Sequence, residues 1–183
     1  MKWLLARLQK NIVQAMYVAF LCCIFVAPTV WADPAIDKIH QIEAAYLYNI
    51  LKFVDWPEAN IQLPLTLCVY GDNPFGGLLE TLENRMVAER NIKISYIKNT
   101  PVSTCDVLFV SSKSEAEIKK ILKAYDSKGI LTVSDSPHFI NQGGIVEFVE
   151  KDNTIRFNLN ITKAKAIGLS INSQLTETAL EVR

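Results

Sequence analysis

The sequence is poor in the residues on which most metal and nucleophile chemistry depends: two histidines and four cysteines in 183 residues. His40 and His138 have no ligand-spaced partner along the chain, so no metal site is predicted. Neither a Gly-x-x-x-x-Gly-Lys-Ser/Thr loop nor a Gly-x-Gly-x-x-Gly turn occurs, which excludes both standard nucleotide phosphate sites. Gly71, Gly76 and Gly77 recur near a strand end, but no Lys-Ser/Thr pair follows them; close packing of a helix on a sheet is the simpler expectation for Gly76-Gly77. The Gly-x-Ser-x-Gly elbow of serine hydrolases is missing too. Ser134, Asp135 and His138 supply the residue types of a hydrolytic triad, yet neighbours in one turn seldom point at a common centre. No enzymatic activity and no cofactor is expected. Internal repeats, low-complexity tracts and linkers are absent as well.

Apolar residues are plentiful, at 50% of the chain. Many lie near the start, where Lys2, Arg7 and Lys10 precede an apolar run from Ile12 to Val30. Val30-Trp31-Ala32 then offers small residues at the first and third positions of a cleavage site. The pattern is that of a signal peptide, residues 1–32, cut before Asp33; Pro28 and the Val-x-Ala ending favour it over an uncleaved anchor. Residues 33–183 remain as one domain, large enough for a proper core. They carry nineteen acids against sixteen bases, a net −3. That balance argues against nucleic acid and against attachment to anionic lipid, and no membrane insertion is expected after cleavage. Cys22 and Cys23 fall in the leader. Cys68 and Cys105 are left, and an even count in an exported chain reads as a disulfide. Two buried thiols are the alternative, since the bridge needs Cα atoms within about 7 Å.

A long apolar helix opens the domain and is predicted to reach Trp56, with Pro57 stopping it. Leu65–Tyr70 reads as a strand, Asn73-Pro74 as the start of a helix bearing Phe75, Leu78, Leu79 and Leu82. Ile92–Ile97 alternates as a half-exposed strand, and Asp106–Ser111 is apolar on both faces, as a covered central strand is. Ser114 or Ser112 caps a helix carrying Ile118, Ile121, Leu122 and Tyr125, with Gly129 as its stop. Ile130–Ser134 is a further buried strand, and residues 145–149 and 154–159 form a hairpin. Short helices are expected in the tail. The order predicts an α/β fold: a three-layer sandwich, mostly parallel sheet with an antiparallel edge hairpin.

Two candidate surfaces emerge. Three strands end in small polar residues where a helix begins: Asp72 and Asn73, Ser111 and Ser112, Ser134 and Asp135. Ligands of open α/β sheets bind beyond the carboxyl ends of the strands, so these residues either hold a small polar or anionic ligand or merely cap helices. The opening helix is the second. Ile39, Ile42, Tyr46, Ile50 and Phe53 are expected to cover the sheet, leaving Leu47, Tyr48, Leu51 and Trp56 as a dimer or partner surface.

The stretch Ala44-Ala45-Tyr46-Leu47-Tyr48-Asn49-Ile50-Leu51-Lys52-Phe53-Val54-Asp55-Trp56-Pro57 resembles the opening signature of the YfiR/HmsC-like periplasmic family. Cys68–Gly76, Cys105–Ser111 and Leu131–Pro137 with Gly143-Gly144 agree in order and spacing. The resemblance implies a non-enzymatic, periplasmic regulator that binds the periplasmic sensor domain of an inner-membrane diguanylate cyclase and holds it inactive, so limiting cyclic di-GMP and biofilm formation. It also implies a homodimer, and repression linked to the redox state of a disulfide at Cys68 and Cys105. The second cysteine pair that some members carry towards the C-terminus is missing from this chain. A periplasmic small-ligand receptor is the competing reading.

Overall fold

The computed structural model describes residues 38–56, 62–98, 105–126 and 129–183. The chain divides into two units, 1–35 and 36–183. The expected signal peptide and Pro57 lie outside the described residues.

Among the described residues the second unit is an α/β sandwich built on an eight-stranded sheet. Its parallel centre is made by β2 (Leu65–Gly71), β4 (Arg90–Ile97), β5 (Val107–Ser111), β6 (Leu131–Ser134) and β7 (Val146–Lys151), hydrogen-bonded in the order β4-β2-β5-β6-β7. That is the doubly wound arrangement in which the first strand lies between the second and third. The edges are antiparallel β3 (Met86–Val87) beside β4, and antiparallel β8 (Thr154–Leu159) beside β7, with β10 (Glu181–Val182) parallel to β8. The β7–β8 hairpin turns at Asp152 and Asn153, both with positive φ, as the predicted connection requires.

Alternation along the strands feeds two separate cores. Leu65, Leu67 and Val69 of β2 and Val107 and Phe109 of β5 face a core that includes helix α1 (Lys38–Leu51). Cys68, Leu108 and Val110 face the opposite core, which is closed by Ile118, Ile121 and Leu122 of α2 (Glu115–Ala124). A sheet buried on both faces explains why β2 and β5 are apolar at consecutive positions. Ser114 caps α2 by accepting a hydrogen bond from the Glu117 amide at 3.4 Å.

Two predicted helices differ from the structure. α1 ends at Leu51, short of Trp56, because the Lys52 and Phe53 amides close a tight turn onto Asn49 and Ile50. The next residues leave as β1 (Val54–Asp55), paired antiparallel with β9 (Ser170–Ile171). A tertiary strand partner thus overrides the local apolar pattern. The crossover from β2 forms turns and a single 3-10 segment, Leu79–Leu82, where an α-helix was expected. Gly76 has φ 54°, a left-handed residue that breaks a helix before it can nucleate. Gly77 has open space where a side chain would lie, so the glycine pair does not serve close helix packing. Phe75, Leu79 and Leu82 are nevertheless buried. Two short helices, α3 (Ile161–Ala166) and α4 (Ser173–Thr178), complete the tail.

Candidate functional site

The three polar strand ends lie side by side at the carboxyl end of the parallel strands β2, β5 and β6. Gly71 is in register with Ser111, and Phe109 with Val133 just before Ser134. Most of their hydrogen-bonding capacity is used internally. The Ser134 hydroxyl donates to the Val110 carbonyl at 2.6 Å and accepts from the Ser136 amide at 3.0 Å. Ser136 donates in turn to the Ser112 carbonyl. Asn73 accepts from the Phe75 amide at 3.0 Å and donates to the Gly76 carbonyl at 2.7 Å, which makes it a turn residue. At Gly71 a Cβ would stand 2.3 Å from the Ser111 carbonyl oxygen, so β2 and β5 close on each other at the switch point.

Beside them, the Glu117 carboxylate accepts from Ser112 at 2.6 Å and from Tyr70 at 2.9 Å. The Ser112 bond, seconded by that from Tyr70, holds the Glu117 carboxyl below the usual carboxylate range. Tyr70 is pushed upward, first by donating to Glu117 and then by desolvation. Asn73, Ser112 and Ser134 therefore stand in the structure as turn and network residues, and Ser111 is half-buried at the end of β5. Asp72 is exposed, and Asp135 is half-buried at the end of β6. The triad residue types do not assemble: His138 points to solvent with φ 62°, and its amide donates to Glu147 at 3.0 Å.

Asp135 has company of another kind. His40 and Glu43, one turn apart on α1, reach the same end of the sheet. One ligand atom from each of His40, Glu43 and Asp135 lies within 4.8 Å of the other two. Glu43 is buried, with 2% exposure, and the His40 ring stands edge-on to Phe75 with centroids 6.3 Å apart. Reading histidine spacing along the chain missed this grouping. The only sequence trace of it is the His40-x-x-Glu43 step, which puts two donors on one helix face.

The opposite end of the sheet is held covalently. Cys68 in β2 and Cys105 ahead of β5 form the expected disulfide, with Cα atoms 5.8 Å apart. The adjacent Asp106 carboxylate accepts from Arg90 at 2.8 Å and from the Thr66 amide at 2.8 Å. Arg90, 5% exposed, also donates to the carbonyls of Leu63 and Pro64 at 2.9 Å each. Bridge and ion pair together pin the amino ends of β2, β4 and β5.

The structure departs from the sequence expectation on the proposed partner face of α1 and agrees with it on the sheet-covering face. Leu47 and Leu51 are fully buried in the core with Ala44 and Ile50, so they cannot form a partner surface. Tyr48 and Trp56 are half-buried, Tyr48 lying under the Lys52 ammonium at 4.0 Å from the ring centroid. Ile39, Ile42, Tyr46 and Phe53, expected against the sheet, do pack on its core, with Tyr46 edge-on to Phe148 of β7 and Phe157 of β8 at 6.5 and 6.0 Å between ring centroids. Ile42, Tyr46 and Phe53 also line a groove of about 900 Å³ with Phe157 and Leu175 of α4, rimmed by Lys38, Arg156 and Glu177. Lys38, Gln41, Ala45 and Asn49 form its exposed side, and the apolar arc that remains is too wide for periodicity alone to tell the fully buried residues from those at the margin.

A doubly wound α/β domain stapled by a disulfide is a scaffold that serves binding and catalysis alike, so its class comes from the chain's relatives. The profile of the YfiR/HmsC-like family matches residues 40–179, and the chain belongs to that family. This is a family of periplasmic, non-catalytic regulators of diguanylate cyclases. No curated protein matches the chain. Among the described residues no helix is long and apolar enough to cross a membrane.

Proposed function

We propose that this chain is exported to the periplasm by residues 1–32 and there represses an inner-membrane diguanylate cyclase by binding its periplasmic sensor domain. Repression would limit cyclic di-GMP and biofilm formation. The observation that carries the reading is the family match over residues 40–179, which contains both disulfide cysteines and every strand of the sheet except β10. The paired-cysteine staple suits an oxidising compartment. We further propose a homodimer, with Tyr48 and Trp56 as the contacts carried forward from the α1 surface.

Affinity capture from solubilised membranes of the host tests the assignment. A membrane diguanylate cyclase should be retained, and deletion of the gene should raise cellular cyclic di-GMP. Capture without any cyclase, together with unchanged cyclic di-GMP, would refute it. Sedimentation of Tyr48→Ala and Trp56→Ala beside the wild type tests the dimer. A small-ligand receptor is the weaker reading, because the polar groups of Asn73, Ser112 and Ser134 are engaged within the fold.

A further inference from the structure

We propose that His40, Glu43 and Asp135 form a binding site for a single divalent transition-metal ion of the zinc type. One imidazole nitrogen and two carboxylate oxygens, converging from the first turns of α1 and the carboxyl end of β6, have their ligand atoms within 4.8 Å of one another. Three protein donors of this mixed nitrogen and oxygen kind, with a position left for water, suit zinc or its first-row neighbours better than calcium or magnesium, which prefer all-oxygen sets.

The surroundings fit a resident cation. Glu43 is buried and Asp135 is half-buried, so the donor cluster is partly shielded from bulk water, where a cation is held more strongly by oxygen ligands. Asp135 makes no hydrogen bond to another described residue, whereas the neighbouring Ser134 and Ser136 are both engaged. Phe75, fully buried, stands edge-on to the imidazole. Tetrahedral zinc at about 2.05 Å from each donor would hold the donors about 3.4 Å apart. Closing from 4.8 Å needs only rotamer adjustment of the two half-buried side chains, His40 and Asp135. The ion would join α1 to the sheet end that the disulfide does not reach, and it stands independently of the cyclase assignment.

Calorimetric titration of the disulfide-intact chain 33–183 with zinc chloride, and visible absorption on adding cobalt(II), test the site. One ion per chain is expected, with a melting rise of about 5–10 °C at a hundredfold excess over Kd. His40→Gln and Asp135→Asn each alter a half-buried side chain and should keep the circular dichroism of the wild type while weakening binding at least tenfold. Glu43→Gln, nearly isosteric, should do the same. Absence of a heat signal and of a cobalt band up to about 100 μM metal would overturn the proposal, as would binding unchanged in His40→Gln and Asp135→Asn.

Discussion

Opening the Cys68–Cys105 bridge tests the main physical claim about how this domain is held. The bond joins residues 37 apart in sequence, closing a loop that the unfolded chain would otherwise explore freely. The chain-entropy estimate for that loop is about 4 kcal/mol at 25 °C. For a domain of this length it corresponds to a fall in Tm of about 8–15 °C. Both sulfurs sit in the core beneath α2, at 0% and 7% exposure, so substitution also alters packing. Reduced wild type keeps those atoms and isolates the cross-link; Cys68→Ala with Cys105→Ala adds the cavities. Urea unfolding with and without reductant, followed by circular dichroism, is the assay. The reduced protein should unfold at a lower midpoint with a larger m-value, because its unfolded ensemble is less compact. A stability difference below about 1 kcal/mol, with unchanged m, would refute the loop-closure account. If the loss is seen but the reduced protein still represses the cyclase fully, the bridge is structural and not a redox switch.

Leu47→Ala should cost about 2–5 kcal/mol, and Leu47→Glu should prevent folding, because the side chain is fully buried; a soluble, folded Leu47→Glu in circular dichroism would contradict the core assignment. Arg90→Ala should cost about 3–5 kcal/mol, since it strands the Asp106 carboxylate and two carbonyls at the amino ends of the strands. Arg90→Lys should restore little of this, as one ammonium cannot reproduce the fork; chemical denaturation reads both. Glu117→Gln should lower stability at neutral pH. The folded-state Glu117 carboxyl is held down, so its contribution is present above the unfolded value and is lost as pH falls through the folded one. The gap between wild type and Glu117→Gln should therefore narrow in acid, and a gap that widens below pH 4 would contradict the network.

Much of the fold is written locally. Val107 and Phe109 alternate with Leu108 and Val110, and every position is apolar, which already demands a strand covered on two sides. The parity of Cys68 and Cys105 gave the bridge, and Ser114 with Glu117 gave the start of α2. Helix extent was less legible. Periodicity is a local signal, so it could not register the β9 partner that draws Val54 and Asp55 out of α1, nor the left-handed turn at Gly76.

What the sequence by itself determined about this protein is its class: a doubly covered sheet, one staple and no standard catalytic motif. Only the tertiary structure decided which residues share a place. The apolar arc of α1 is wider than one contact needs, so docking decided that Leu47 and Leu51 are fully buried while Tyr46 and Phe53 pack at the margin of the core and line the groove. Asp135 lies more than ninety residues from His40 and Glu43. No spacing rule spans that distance; the strand order of the sheet brings them together, because a site of this kind is a property of topology.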